Sequence, residues 1–283
     1  MEKDEKIKSV IDSRRPYRMQ DGKFCFLNGD APLTVPSGIL EGLKSRLKRW
    51  GGLYYSLVSI LGPVHSLPGF RKCCSRHLKV YAADAVVVNL GSGSQVYRSR
   101  SDIINIDIEP FAAVDMVADA ADLPIMSQTV DCILNMALLE HTADPGRLVA
   151  EIQRIIKPGG IVITAVPFMQ PFHAAPHDYC RWTSAGVKEL FNTFEQLETG
   201  IAAGPTSGML WVLQEWLAVL LSLGSRRLHD IWLLFLMVLL FPLKYLDWVI
   251  ARFPFADHCA SAFYAVVRKN SEGGIDSDEF RRA

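Results

Sequence analysis

The chain has 283 residues, of which 49% are hydrophobic and 21% are charged. This composition excludes a disordered chain, a collagen-like fibre and a simple coiled coil. Thirty basic and thirty acidic residues give a formal net charge of zero, which disfavours a globally basic nucleic-acid binder. We therefore expect one large folded domain, or one domain with an appendage, and no nucleic-acid partner.

Charge is segregated along the chain. Residues 41–80 carry eight bases and one acid, whereas residues 81–169 carry eleven acids and five bases. The six cysteines show no C-x-x-C spacing, so no zinc knuckle is predicted. Residues 1–23 are charged throughout, unlike a cleavable signal sequence. These features predict a cytoplasmic protein with reduced thiols and no bound metal.

The predicted elements begin with two segments that precede the first clear strand. Residues 1–35 are polar, and residues 36–80 mix bases with aromatic residues and leucines at roughly helical spacing. Strands and helices then alternate, with strands predicted at 85–90, 102–107, 114–118, 130–135 and 161–166 and a helix at 145–156. This alternation predicts an α/β fold with a mostly parallel sheet and helices on both faces.

Residues 209–254 are predicted to be an apolar helical insertion. Their longest apolar run, 231–243, has thirteen residues and as a helix spans roughly 20 Å. This is short of a hydrocarbon core of about 30 Å, so a transmembrane span is not predicted. The run must be buried against the rest of the chain, against a partner, or in a membrane interface. The basic 36–80 segment favours an anionic membrane surface among the last two alternatives.

A closing strand at 261–267 and a polar tail complete the pattern. The predicted organisation is therefore an N-terminal extension (1–80), a catalytic core (81–208), the apolar insertion (209–254), the closing strand of the core (255–270) and a flexible tail (271–283).

The strand at 85–90 ends in the turn Asn89-Leu90-Gly91-Ser92-Gly93. Glycines after the first strand of an open parallel sheet let a ligand approach the backbone at the carboxyl edge. Asp107 ends the next strand, where its carboxylate can accept hydrogen bonds from both ribose hydroxyls. Val96 stands where a dinucleotide-binding G-x-G-x-x-G motif requires its third glycine, so a dehydrogenase is disfavoured.

Further motifs follow this turn in a fixed order. They are Ala118-Asp119-Ala120, Leu123-Pro124, the strand at 130–134, Leu139-Glu140-His141 and Lys157-Pro158-Gly159-Gly160. This succession resembles the class I S-adenosylmethionine-dependent methyltransferases, and within them the methyltransferase type 11 group. The resemblance covers residues 83–170 closely, and 171–203 and 261–268 more loosely. It implies a Rossmann-like seven-stranded sheet, methyl transfer and S-adenosyl-L-methionine as the cofactor.

The resemblance also implies the residues that hold this cofactor. It places Asn89, Gly91 and Gly93 beside the methionine part and Asp107 on the ribose. It also places Asp119 at the adenine amino group, and Asn135 and Met136 beside the sulfonium. Three features depart from the family pattern. Asn89 replaces an acid, Gln95 replaces the third glycine of the loop, and the segment between the first two strands is too short for a full helix. A methyltransferase-like binding or scaffold protein at a membrane surface is therefore the alternative to an enzyme.

A second polar cluster lies at 167–182, directly after the fifth predicted strand and so at the carboxyl edge of the sheet. His173, His177 and Asp178 could act as metal ligands or as a general-base pair, with Tyr179 and Arg181 orienting an acceptor. The alternative is that these side chains make only structural hydrogen bonds within the loop. Two prolines and the lack of a helix that would put both histidines on one face disfavour a metal.

The pair Glu140-His141 is either part of a helix opening or a base that faces the acceptor. The predicted catalytic residues are therefore His141, His177, Asp178 and Tyr179. No motif identifies the acceptor, which we expect to be small or linked to a lipid or glycan. We expect peripheral membrane contact through 36–80 and 209–254.

Overall fold

The structure is a computed structural model that describes residues 3–27, 60–93, 100–174 and 177–271. The departure at Gln95, the short connection that contains it, the basic residues 44–49 and the tail beyond 271 lie outside the described residues. The helices are α1 (Lys3–Val10), α2 (Pro68–Lys79), α3 (Pro145–Ile155), α4 (Ser184–Leu190), α5 (Pro205–Ser222), α6 (Arg226–Leu240) and α7 (Asp247–Ile250), with 3₁₀ turns at Leu139–His141, Phe241–Leu246 and Ala256–Cys259.

The strands form one mixed sheet. They are β1 (Arg18–Gln20), β2 (Lys23–Cys25), β3 (Val87–Leu90), β4 (Ile104–Asp107), β5 (Met116–Val117), β6 (Val130–Met136), β7 (Ile156–Pro167), β8 (Phe194–Ala203) and β9 (Ala262–Lys269). Their spatial order is β1-β2-β5-β4-β3-β6-β7-β9-β8. Strands β3 to β7 pair in parallel, and β9 runs antiparallel between β7 and β8.

This arrangement confirms the predicted α/β class with a mostly parallel, Rossmann-like sheet. The sheet has nine strands rather than seven, because β1 and β2 form a hairpin that extends its edge beside β5. In the seven remaining strands the order of addition reverses at β3: the chain adds strands first on one side of β3 and then on the other. Ligands bind such sheets at the carboxyl ends of the strands next to this switch point. The glycine turn after β3 lies there.

The N-terminal helix α1 is part of the core. Lys6 on this helix has no accessible surface, and its Nζ donates to the carbonyl oxygens of Ala83 at 2.8 Å and Ala85 at 3.0 Å. The same ammonium pairs with Asp102 at 3.0 Å. A buried ammonium needs such partners, so this lysine fixes α1 against the segments that lead into β3 and β4.

The fifth parallel strand is longer than the sequence indicates. Lys157-Pro158-Gly159-Gly160 follows the predicted helix at 145–156, and α3 does end just before it, at Ile155. The four residues lie inside β7, which pairs with β6 on both sides of them. The register shifts between Val130 and Cys132, and Gly159 has a φ of +77°. Lys157 pairs with Asp131 at 2.7 Å. The four residues therefore form an irregularity opposite Asp131 and do not end the sheet pairing.

Helices α5 and α6 form a hairpin that packs on one end of the sheet. Leu223, at the end of α5, adopts the left-handed conformation with a φ of +49°, and His229 on α6 pairs with Glu215 on α5 at 3.3 Å. The helical stretch 226–250 is long and apolar enough to cross a membrane. Its most apolar window of 18 residues has a mean hydropathy of 2.0, and 17% of that window is buried. A core helix of a water-soluble protein would be mostly buried, so this hairpin exposes an unusual amount of apolar surface.

Candidate active site

The glycine turn after β3 has the backbone conformation that glycine favours. Gly91 has a φ of +63° and Gly93 a φ of +55°, in a region that side-chain-bearing residues rarely adopt. A Cβ on Gly91 would lie 2.8 Å from Cδ1 of Leu138, whereas a Cβ on Gly93 would meet no atom of the described residues within 4 Å. The turn is therefore closed on the side of Gly91 and open above Gly93.

Asp107 fixes this turn from the end of the neighbouring strand. Its Oδ2 accepts from the backbone N–H of Gly93 at 2.7 Å, and its Oδ1 accepts from that of Glu109 at 2.9 Å. Each oxygen of an ionised carboxylate has a second acceptor position. The half-buried carboxylate can therefore accept two further hydrogen bonds from a ligand that lies over Gly93.

Asp119 lies near Asp107, at the end of the next strand. The backbone N–H of Ala118 donates to the carbonyl oxygen of Asp107 at 3.0 Å. The carboxylate of Asp119 is exposed and accepts from the N–H of Ala121 at 2.8 Å. Gly93, Asp107 and Asp119 thus form one row along the carboxyl edge of three neighbouring strands.

The structure does not bring the side chains of Asn89 and Asn135 to the open surface of this row. Asn89 is 2% exposed, and its Nδ2 donates to Oδ1 of Asn105 on β4 at 3.2 Å. Asn135 has no accessible surface, and neither its Nδ2 nor its Oδ1 has a hydrogen-bond partner within the described ranges. It lies opposite Thr164 of β7, whose hydroxyl oxygen is also buried without such a partner. Met136 is half-buried and faces a cavity.

That cavity has a volume of about 710 Å³ and lies at the carboxyl ends of β6 and β7. Helix α2 closes one side, and the first turns of α5 close another. Its lining is mostly apolar, with a few polar groups, and includes Phe70, Met136, Val166, Pro167, Gln170 and Trp211. A site of this size that is largely apolar is typical of small-molecule binding.

The loop after β7 is held together by a buried ion pair. Both guanidinium Nη atoms of Arg181 donate to the carboxylate of Asp178, with Nη2 2.6 Å from Oδ2. The backbone N–H of His173 donates to the same oxygen at 2.7 Å. These hydrogen bonds, that from Arg181 foremost, lower the pKa of the Asp178 carboxyl to about 2. Asp178 therefore stays ionised near neutral pH, where it orders the loop.

The loop is also attached to the 3₁₀ turn that follows β6. The ring Nδ1 of His141 lies 2.6 Å from the carbonyl oxygen of His177, and the N–H of Tyr179 donates to the carbonyl oxygen of Glu140 at 2.7 Å. The side chains of His177 and Tyr179 are exposed, with their ring centroids 5.5 Å apart. Of the four predicted catalytic residues, His141 is thus the one whose ring lies in the interior of this region.

The sequence analysis considered Glu140 only together with His141, as part of a helix opening or as a base that faces the acceptor. In the structure Glu140 has no accessible surface, and Nε2 of His141 and of His173 lie 3.9 Å and 3.8 Å from its Oε1. Thirty-two residues separate Glu140 from His173, so sequence spacing alone could not show that they meet. The available signal was the position of each residue just beyond the carboxyl end of a parallel strand.

Comparison with known proteins agrees with this geometry. Residues 70–164 match the family described as the methyltransferase domain. The chain is 32% identical over 80 residues to a ubiquinone biosynthesis O-methyltransferase from Mesorhizobium japonicum, a match over 26% of this chain and 32% of that protein. It is 34% identical over 47 residues to a probable S-adenosylmethionine-dependent methyltransferase from Mycolicibacterium smegmatis, over 17% of this chain and 18% of that protein.

Among solved structures, the fold is similar to a Burkholderia thailandensis 1,6-didemethyltoxoflavin-N1-methyltransferase crystallised with its substrate and S-adenosylhomocysteine. The TM-score is 0.46 at 14% identity, over 91% of this chain and all of that chain. The matches to curated relatives span between 17% and 32% of those proteins. The match to the methyltransferase domain covers residues 70–164, about a third of the chain, and the strand order and the glycine turn agree with it. The match indicates S-adenosylmethionine as the cofactor.

Proposed function

We propose that the chain is an S-adenosylmethionine-dependent methyltransferase that acts on a small acceptor or on one linked to a lipid or glycan. The observation that carries this proposal is the hydrogen bond from Gly93 to Asp107, which sets an open glycine turn beside a ribose-binding carboxylate. A cavity of about 710 Å³ lies at the same edge of the sheet, at the carboxyl ends of β6 and β7.

The residues of the turn fit the cofactor. Bound S-adenosylmethionine would supply a methyl group on a positively charged sulfur, which needs little further activation. Gly93 leaves its backbone open to the ligand, Asp107 can accept both ribose hydroxyls, and the exposed Asp119 can accept the adenine amino group. Met136, at the end of β6, lines the cavity. The protein's contribution is to align the acceptor and to exclude water from it.

The cavity indicates the kind of acceptor. Its walls are largely side chains and backbone of apolar residues, with the amide of Gln170 and the guanidinium of Arg71 among its polar groups. Such walls bind an apolar body by burial and orient it by a few hydrogen bonds. An acceptor with an apolar part and a polar or anionic end fits this lining better than a fully polar metabolite.

The α5–α6 hairpin supports delivery of such an acceptor from a membrane surface. Large apolar side chains on the outer faces of both helices and of the following turns are exposed: Met209, Val212, Leu213, Trp216, Val219, Leu220, Leu221, Leu223, Leu228, Ile231, Phe235, Val238, Leu239, Leu243, Leu246, Trp248, Val249, Phe253 and Phe255. Trp211, on the first turns of α5, lines the acceptor cavity. The apolar surface and the cavity therefore share one helix.

The hairpin is attached to the domain in a way that favours peripheral contact over a span. Asp247 has no accessible surface, and its carboxylate accepts from the backbone N–H groups of Thr206 and Ser207 at 2.7 and 2.9 Å. Lys244, equally buried, donates to the carbonyl oxygen of Gly62 at 2.6 Å. A helix that crossed a bilayer through this stretch would have to break these contacts, at a large cost in free energy. We infer a cytoplasmic protein with its hairpin in the membrane interface.

A labelled-methyl assay tests the proposed function. The purified full chain is incubated with methyl-labelled S-adenosylmethionine and with fractions of a cell extract, including the lipid fraction. We expect label to appear in a product of the lipid or small-molecule fraction, and the Asp107→Ala variant to lose this transfer. Cofactor binding without transfer to any fraction would support the binding-protein alternative, and no cofactor binding would overturn the proposal.

A further inference from the structure

Two imidazole rings and one carboxylate converge beneath the loop that follows β7. Nε2 of His173 lies 3.8 Å from Oε1 of Glu140, and Nε2 of His141 lies 3.9 Å from the same oxygen. All three possible ligand atoms lie within 4.8 Å of one another. Residues from two separate loops thus bring three metal-ligating atoms to one point.

The hydrogen bonds on the far side of each ring orient both Nε2 atoms toward Glu140. Nδ1 of His141 lies 2.6 Å from the carbonyl oxygen of His177, and Nδ1 of His173 lies 2.9 Å from that of Pro171. A carbonyl oxygen can only accept, so each Nδ1 donates a proton there, and in the neutral form that a metal binds the lone pair is on Nε2. The guanidinium of Arg181 is farther from Nδ1 of His173, at 3.3 Å. Histidines that bind metals typically donate their other N–H to a backbone carbonyl or a carboxylate in this way.

The carboxylate of Glu140 lacks the partners that a buried charge needs. It has no accessible surface, and neither of its oxygens has a hydrogen-bond partner among the residues that the structure describes. Nε2 of each imidazole faces one of these oxygens at 3.8 or 3.9 Å, beyond hydrogen-bond distance. A cation between the three groups would compensate the buried charge.

We propose that Glu140, His141 and His173 bind a divalent cation of the Zn²⁺ class. Two imidazoles and one carboxylate favour Zn²⁺ and neighbouring transition metals over Mg²⁺ and Ca²⁺, which prefer oxygen ligands. Bonds of about 2.0–2.2 Å place the ligand atoms of a tetrahedral site roughly 3.4 Å apart, so the two histidine–glutamate distances must each shorten by about half an ångström to form the site. This proposal departs from the sequence-based expectation of no bound metal.

The site would open toward the acceptor cavity. The ring of Trp211, which lines that cavity, lies 5.3 Å from the ring of His173. Three protein ligands leave a fourth position that a substrate oxygen or water can take. The use of that position to hold an acceptor oxygen rests on the proposed function, whereas the binding of the cation does not.

Other combinations of metal-ligating residues are less suitable. The carboxylate of Asp178 already accepts hydrogen bonds from Arg181, and the ring of His177 is exposed. Cys73, His77 and Glu198 also lie within reach of one another. However, burial raises the pKa of the Cys73 thiol to about 11, and the carboxylate of Glu198 already accepts from the hydroxyl of Tyr264 at 2.7 Å and pairs with Arg76. These donors are protonated or occupied.

Titration with Co²⁺, a spectroscopic substitute for Zn²⁺, tests the proposal. The full chain is freed of metal with a chelator and titrated while its visible absorption is recorded. We expect one equivalent to bind with the bands of a nitrogen and oxygen site, and an affinity at least tenfold lower in Glu140→Gln and in His173→Ala. The matched control His177→Ala keeps the backbone carbonyl that His141 contacts and should bind as the wild type does. His173 is partly exposed, so its variant keeps the test usable if Glu140→Gln does not fold.

Three results would overturn the proposal: no uptake of Co²⁺, unchanged affinity in folded His173→Ala, or a thiolate charge-transfer band that locates the ion at Cys73. Calorimetry with S-adenosylmethionine on the same metal-free sample separates this proposal from the proposed function. Cofactor binding without Co²⁺ uptake rejects only the metal site, and Co²⁺ uptake without cofactor binding rejects only the methyltransferase.

Discussion

The side chain of Leu138 occupies the space into which a side chain on Gly91 would project. Its Cδ1 would lie 2.8 Å, and its Cβ 2.9 Å, from a Cβ built on that glycine. Leu138 follows β6, so this contact joins the glycine turn after β3 to the turn that carries Glu140 and His141. The cofactor side and the acceptor side of the site are thus packed against each other at one glycine.

Replacement of Gly91 should therefore cost more than replacement of Gly93. Gly91→Ala places a Cβ on a left-handed backbone, which costs about 1–2 kcal/mol of folding stability. The new Cβ also forces Leu138 to move, which costs about 1–3 kcal/mol more. Gly93→Ala is the matched control, because it has the same backbone strain and open space around its Cβ. Urea unfolding of both variants measures the difference. Equal losses of stability would show that Leu138 adapts without cost.

The Asp178–Arg181 pair should contribute stability that depends on pH. The folded-state pKa of Asp178, about 2, lies below its ordinary value of 3.8, so the stabilisation is complete above about pH 4 and is lost as the pH falls toward 2. At neutral pH, Asp178→Asn should destabilise the chain by about 1.5–3 kcal/mol, as expected for a buried charge-assisted hydrogen bond. The difference from wild type should shrink below pH 4.

Asp12 offers a control for this prediction. Its pKa is also lowered to about 2, chiefly by hydrogen bonds from Arg14, but that pair is exposed on the surface. Exposed pairs contribute little, so Asp12→Asn should leave the unfolding midpoint nearly unchanged. If Asp178→Asn behaved like Asp12→Asn, the loop would not depend on its ion pair.

Asp247 should be essential for the attachment of the hairpin. Its carboxylate accepts hydrogen bonds from the hydroxyl of Ser207 and from the backbone N–H groups of Thr206 and Ser207. Asp247→Ala leaves these buried donors unpaired and should cost about 3 kcal/mol or more. Thermal unfolding of this variant beside Asp257→Ala, a change at an exposed position, checks the prediction. A similar melting temperature for both would contradict it.

The exposed face of the hairpin should bind anionic vesicles. Trp216 and Leu220 are each more than half exposed, so transfer of both into the interface should contribute roughly 1 kcal/mol or more apiece. The double variant Trp216→Glu, Leu220→Glu should reduce co-sedimentation at least tenfold. Met19→Glu changes an exposed apolar residue in β1, outside both segments expected to contact the membrane, and should have little effect. High salt should weaken the binding only in part, because screening removes the charge contribution and leaves apolar burial. Equal pelleting of both variants would exclude the hairpin as the contact.

Much of the fold could be predicted because the central strands are marked locally. The runs of valine and isoleucine at 86–90, 103–106 and 130–134 are buried on both faces, and such runs are typical of parallel strands. The β1–β2 hairpin could not be found in this way, because each strand has three residues and β1 is fully exposed. Its position follows from pairing with β5, which is a tertiary contact.

The same division holds for the candidate site. Gly91, Gly93 and Asp107 belong to local motifs next to strands, and their arrangement follows from the order of those strands. The sequence could not decide the role of Asp178, because a carboxylate in a polar loop is either catalytic or structural until the position of Arg181 is known. The meeting of Glu140 with His173 depends on how two loops fold over one edge of the sheet. Sequence patterns therefore locate the edge, and only the packing shows which side chains are free to act.

Calorimetry with S-adenosylhomocysteine tests the central claim most directly. The full chain should bind one equivalent, and Asp107→Ala should bind at least tenfold more weakly, because a charge-assisted contact worth about 1.5–3 kcal/mol is lost. Asp122→Ala removes an exposed carboxylate that pairs with Arg15 and should bind as the wild type does. Equal affinity in folded Asp107→Ala, or no binding by the wild-type chain, would contradict the account.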